Sequence, residues 1–269
     1  PIDASTTWTA TGPVTQLALA GATGTTSCPA GTYSAAGGTT CSVVPAGSYP
    51  SETITYSSTS RDWTGVAASA DFRTMVAYVY NGDIYKSTDS GASWVVVLGA
   101  GSRNWLGIIC NADCSKIAAV VLGGNIWLST DGGTSWSTLS GAGSKNWDGI
   151  TASADFTDLL ATVYGGQIWR STNSGGNWAV LSSSPSKNWA QIAANSAFDK
   201  FAVAVTLSGE YLYQSLDDGT TWSQITAAGL RNWNGICVSA DFTQMAATVY
   251  NGYLWVSHDS GTSWSELIS

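Results

Sequence analysis

Residues 87–94 read Ser-Thr-Asp-Ser-Gly-Ala-Ser-Trp, and the phrase returns as STDGGTSW from Ser129, STNSGGNW from Ser171, SLDDGTTW from Ser215 and SHDSGTSW from Ser257. A second ladder runs in phase with it: Arg61-Asp62-Trp63, Arg103-Asn104-Trp105, Lys145-Asn146-Trp147, Lys187-Asn188-Trp189 and Arg231-Asn232-Trp233. Its steps are 42, 42, 42 and 44 residues. Between the ladders stand Tyr85, Trp127, Trp169, Tyr213 and Trp255, so three aromatic columns take up 13 of the 14 tryptophans.

Within one period the apolar runs are short, rich in Val, Ile, Tyr and Trp, and broken by Gly, Asn and Asp. Such runs make strands and turns rather than helices. The first period predicts strands near 63–69, 74–80, 83–87 and 94–98. Four-stranded units of about 40 residues are the signature of a β-propeller, because one unit cannot cover both of its faces and must stack on neighbours. The expectation is an all-β, five-bladed β-propeller with almost no helix. Five units from Trp63 already end in a fourth strand at 264–268, which predicts a complete ring.

The phrase Ser-x-Asp-x-Gly-x-x-Trp resembles the Asp-box, or BNR repeat, of sialidases, sortilin-type receptors, xyloglucan hydrolases and many secreted propellers. The resemblance covers residues 60–269, with Asn173 in place of Asp in the third copy. It implies four-stranded Asp-box blades, with each box on the rim and away from any active site. The short carboxylate can accept backbone N–H groups of its own turn, Gly supplies a left-handed backbone, and Trp plugs the next strand onto the sheet. Asp89, Asp131, Asn173, Asp217 and Asp259, with Trp94, Trp136, Trp178, Trp222 and Trp264, are therefore expected to be structural rather than catalytic or calcium-binding. A second resemblance covers residues 28–50, where Cys28-Pro-Ala-Gly-Thr-Tyr-Ser and Pro45-Ala-Gly-Ser-Tyr49 are similar to cysteine-rich ephrin-receptor-like modules. Val44 departs from that pattern, where a further cysteine is expected.

The chain has 269 residues, 10% of them charged, and 68 are Ser or Thr. A formal charge of −8 argues against nucleic acid and anionic membrane surfaces, both of which reward basic faces. No apolar run approaches the ~20 residues that span a bilayer, so membrane insertion is not expected. The chain begins at Pro1 with no leader to read, which suggests a processed protein. Cys28 and Cys41 bracket a segment too poor in apolar side chains to order itself, so a disulfide there is expected, and with it an extracellular setting. Cys110 and Cys114 lie in one short stretch, while Cys237 has no obvious mate. Two or three thiols without paired spacing or histidines make a poor zinc set, so no metal or cofactor is expected. The division read from these features is an arm at 1–27, a stapled spacer at 28–50 and the propeller at 51–269.

Chemistry finds little footing. Glycoside hydrolysis usually needs two facing carboxylates, yet the only glutamates, Glu52, Glu210 and Glu266, fall in unrelated contexts. His258, the one histidine, lacks a Ser or Cys partner in any motif, and no glycine-rich phosphate loop precedes a helix. Loop individuality is low as well: only Thr206-Leu207-Ser208-Gly209-Glu210 enlarges a turn, by two residues. Binding is easier to support, since Arg61, Arg103, Lys145, Lys187 and Arg231, with Asn104, Asn146, Asn188 and Asn232, can ring one mouth of the channel. The ordinary alternative is that each cation folds over its own aromatic residue or bonds a neighbouring turn.

Strand counting adds one more expectation. Thr53-Ile54-Thr55-Tyr56 stands in the register of Val95-Val96-Val97-Leu98, and Ser5-Thr6-Thr7-Trp8-Thr9 echoes Gly219-Thr220-Thr221-Trp222-Ser223. A surplus strand is a template for another chain. Together these readings predict a non-enzymatic, secreted structural or adhesive propeller that assembles with copies of itself through its N-terminal arm, as a filament or coat. A lectin-like binder of surface polysaccharide and an Asp-box glycoside hydrolase are the alternatives.

Overall fold

A fixed turn phrase between alternating apolar residues produces the same antiparallel meander five times among the described residues. A computed structural model describes residues 61–207 and 209–267, together with the backbone of Thr32–Tyr33 and Ser42–Val43. The chain divides into two compact bodies, Pro1–Thr55 and Tyr56–Ser269. In the first, Thr32–Tyr33 pairs antiparallel with Ser42–Val43, Thr32 opposite Val43. Cys28, Cys41, the arm at 1–27 and the surplus segment at 53–56 lie outside the described residues.

Repeat 1 runs through Trp63–Ala68, Met75–Val79, Ile84–Ser87 and Val95–Val96, each paired with the next. Repeats 2 to 5 open at Trp105–Cys110, Lys145–Ala152, Lys187–Ala194 and Trp233–Val238 and follow the same course. A bulge follows the leading Trp in every repeat, as between Trp63 and Gly65. Bulges bend and twist a strand locally. The helix expectation stands among these residues, where two short 3-10 turns occur, Ser140–Ala142 and Thr226–Ala228.

Each hydrophobic cluster is shared by two consecutive repeats. Val76, Tyr78, Ile84 and Val97 of repeat 1 pack with Trp105, Ile108 and Ile117 of repeat 2. The same arrangement joins repeats 2 and 3, 3 and 4, and 4 and 5. Trp105, Trp147, Trp189 and Trp233 are fully buried at these joints. Burying a large apolar side chain stabilises by about 1.5–3 kcal/mol, so most of the fold's cohesion lies between repeats. A turn residue with positive φ seals each joint: Phe156, Phe198 and Phe242 pack onto the repeat before their own. In repeat 2 that position is Cys114, which forms a disulfide with Cys110 at the end of the leading strand. Cys237 is free and exposed.

Among the described residues the complete ring expected from the strand count is not made. No strand of repeat 5 pairs with repeat 1 among the described residues. Trp63 is 37% exposed where its four counterparts are fully buried. Closure depends on the rotation between successive repeats, and neither period nor strand number fixes that angle.

Candidate functional site

The turn phrase builds one hydrogen-bonded knot per repeat. In repeat 1, Ser87 Oγ donates to Asp89 Oδ1 at 2.7 Å and accepts the Gly91 N–H at 2.8 Å. The Asp89 carboxylate takes the Ser93 N–H at 2.9 Å and the Ser93 hydroxyl at 2.6 Å, and Trp94 Nε1 donates to Gly91 O at 3.1 Å. Ser90 and Gly91 both have positive φ, which a Cβ-free second residue accommodates. Asp131, Asp217 and Asp259 make the same bonds to Ser135, Thr221 and Ser263. Asn173 keeps the backbone half, accepting the Asn177 N–H at 2.8 Å. Trp136, Trp178 and Trp264 close their turns through Nε1 as Trp94 does, whereas Nε1 of Trp222 is buried without a partner. Hydroxyl and amide donors hold Asp89, Asp131 and Asp259 at about 2 and lower Asp217, so these acids stay charged. Their acceptor capacity is directed into their own turns.

The repeated cations lie against the middle aromatic column. Arg103 sits 3.9 Å from the Trp127 ring centre, Lys145 4.1 Å from Trp169, Arg231 3.6 Å from Trp255 and Arg61 4.4 Å from Tyr85. Arg103 Nε donates to Ala100 O at 3.1 Å, Lys145 Nζ to Ala142 O at 2.6 Å, and Arg231 to Ala228 O. Lys187 differs. Its ammonium lies 5.8 Å from Tyr213 and meets both Glu210 oxygens at 3.0 Å, a contact that raises its pKa. Glu210 comes from the one enlarged turn, whose backbone bridges to Arg231. Of the amide residues, Asn104 and Asn146 are exposed, and Asn232 Oδ1 accepts the Leu207 N–H at 2.8 Å.

Two features were missed by a reading built on repeated positions. Arg170 occupies the position of Lys86, Leu128, Gln214 and Val256, and it bridges Asp158 at 3.1 Å and Asp218 at 2.8 Å. It lines an open cleft between repeats 3 and 4, with Asp155, Ser196 and Asp199 around it. Asp148, the counterpart of Thr64, Leu106, Ala190 and Asn234, lies just after the buried Trp147. Burial pushes its carboxyl up to about 7. Its charge, after burial, also raises Tyr78, whose hydroxyl donates to Leu106 O. The departures from the repeat at 148 and 170 were the available signals. Among the described residues no cluster of three metal-ligating side chains occurs, and no helix is long and apolar enough to cross a membrane.

Three solved structures have similar folds. A GH74 enzyme from Niastella koreensis matches over 76% of this chain at 17% identity and a TM-score of 0.63. YCF48 bound to D1 peptide matches over 78% of this chain and 69% of its own, at 18% identity and a TM-score of 0.58. A nidogen/laminin complex matches over 77% of this chain and 78% of that one, at 13% identity and a TM-score of 0.60. The chain spans 38% of the length of the GH74 enzyme. No known family profile matches the sequence, and no curated protein does. These neighbours are β-propellers, and the all-β architecture here is of that kind. One of them is named as an enzyme, and the other two are named for complexes with a peptide and with laminin.

Proposed function

We propose that the chain is a non-enzymatic, secreted structural or adhesive module, a stack of five Asp-box propeller blades that joins copies of itself. One observation carries the reading: the Asp-box acids and the repeated cations are engaged within the molecule. The Asp-box acids bond their own turns, and Arg103, Lys145 and Arg231 combine a loop carbonyl with an aromatic face. A hydrolytic site would require a second acid facing one of raised pKa; the Asp148 carboxyl is raised by burial, with no second carboxylate among the causes. The Cys110–Cys114 disulfide supports an oxidising compartment. In this reading the arm at 1–27 serves as a tether that raises the local concentration of one copy near the next.

Sedimentation of the full chain over a range of concentrations tests the reading. Mass that grows with concentration is the expected result; a monomer throughout overturns self-assembly. Release of reducing sugar from plant or bacterial polysaccharide, abolished by Asp148→Asn, would overturn the non-enzymatic part.

A lectin-like binder is the second reading, favoured by an exposed tyrosine rim. Tyr80, Tyr164 and Tyr250 occupy equivalent turns and are 42%, 38% and 62% exposed, with Tyr253 beside Tyr250 at 61%. Exposed aromatic faces next to amides suit sugar rings. Glycan-array binding lost on Tyr80→Ala and Tyr250→Ala would favour it.

A further inference from the structure

The two ends of the five-repeat stack expose the two halves of an interface that the chain builds four times internally. Repeat 1 presents Trp63, Val66 and Phe72, which are 37%, 63% and 64% exposed. Their counterparts in repeat 3, Trp147, Ile150 and Phe156, are 0%, 2% and 3% exposed, because repeat 2 covers them. Repeat 5 presents the complementary half. Leu254 and Leu267 are 39% and 50% exposed, whereas Ile84 and Val97, the same positions in repeat 1, are buried under repeat 2.

We propose that a second copy of this chain covers these faces head to tail, the first repeat of one copy seating on the fifth repeat of the next. The occupant is identified by the chain's own packing. Ile84 and Val97 receive Trp105 and Ile108 at the first internal joint, and Leu254 and Leu267 present the same kind of apolar pair to an incoming Trp63 and Val66. The backbone adds a matching edge: Gly82 bridges to Arg103 across that first joint, and Gly252 with Arg61 repeats the pair of residue types at the ends. An isologous contact would set like half against like half, so the joint is heterologous. Two copies joined at both ends form a closed ring, and copies joined at one end form a fibre. This inference rests on the self-assembly reading above and names its surface.

The test uses two full-length variants. Phe72→Asp spoils only the leading face, and Leu267→Lys spoils only the trailing face. Both residues are exposed in the single chain, so each variant should keep the wild-type melting temperature, and Asp tolerates the left-handed backbone of position 72 better than Phe does. Each variant alone should be monomeric where the wild type assembles, with the dissociation constant raised at least about tenfold, or about 1.4 kcal/mol. Mixed in equal amounts, the two should form a dimer and nothing larger, because one intact trailing face meets one intact leading face. Assembly that persists in both variants overturns the end-face joint while leaving self-assembly by the tether standing. A wild type that never assembles removes the underlying reading itself. A lowered melting temperature in Phe72→Asp without any change in mass would show that the chain covers this face with its own residues, and would also overturn the proposal.

Discussion

Repeats 1 and 3 carry matching residues at their stacking positions, yet they live in different surroundings. Trp147 and Phe156 are buried, while Trp63 is partly and Phe72 largely open. The difference teaches that burial in this fold belongs to the joint and not to the repeat. A single meander of 42 residues supplies the side chains, and its predecessor supplies the cover. Stability should therefore be distributed as repeat terms plus nearest-neighbour terms, as in other stacked architectures.

The largest effect that could break this comparison is a pair of tryptophan truncations. Trp147→Ala should cost about 3–5 kcal/mol, the usual range for removing a large aromatic side chain from a core. Trp63→Ala should cost less than half as much, since its ring already meets solvent on one side and packs mainly against Tyr85 and Trp94 of its own repeat. Denaturant midpoints measured below the assembly concentration decide it. Equal losses would mean that the intra-repeat aromatic triplet, and not the joint, holds the tryptophan.

Glycine substitutions sharpen the same contrast at lower amplitude. Gly91 and Gly175 are the equivalent turn residues of repeats 1 and 3, with φ of 87° and 85°. An alanine at either position is strained by about 1–2 kcal/mol from the left-handed backbone alone. At Gly175 the added methyl would also stand 2.5 Å from a Leu139 methyl of the preceding repeat, whereas at Gly91 its nearest neighbour is Met75 sulfur at 3.8 Å. Gly175→Ala should thus exceed Gly91→Ala by the cost of displacing Leu139, read as a further drop in Tm.

Much of the local structure was legible, because a motif copied five times averages away its own noise. Trp63, Gly91 and Trp94 could be assigned to strand start, turn and plug from their spacing, and the strands at 75–79 and 84–87 fall inside their expected ranges. Closure was not legible, since the angle between repeats is a sum of small packing effects that no single residue reports. The site reading left out contacts made by singular residues. Nothing repeated announces that Glu210 reaches Lys187, or that Arg170 joins Asp158 to Asp218. Averaging over repeats hides these contacts, and the same averaging makes the scaffold readable.

Asp148 offers a smaller test, because it sits at an inner joint where its counterpart in repeat 1 is Thr64. Its folded pKa near 7 lies above the ordinary 3.8, so the folded state holds a proton that the unfolded chain releases between those values. Stability from this group is undiminished below the lower value and falls as pH rises toward the upper one. Asp148→Asn should therefore raise Tm at about pH 8 and leave it nearly unchanged at about pH 4. A variant that gains nothing at the higher pH would show that the carboxylate is solvated after all.

The smallest expected effect separates the third turn from the other four. Asp89, Asp131 and Asp259 have folded pKa values near 2, below the ordinary 3.8, and Asp217 is lowered too. Their contribution is complete above the ordinary value and is lost as pH falls through the lowered one. Asn173 makes the same backbone bond without a proton to gain. On acidification through that window, the amides of Ser93, Ser135, Thr221 and Ser263 should lose hydrogen-exchange protection relative to Asn177, whose acceptor does not titrate. Asp131→Asn should in turn make the second turn behave like the third, keeping the Ser135 N–H bond to Oδ1 and giving up the bonds to Oδ2. If all five amides lost protection together, the transition would be cooperative across the joints, and the turns could not be treated as independent of the stacking that encloses them.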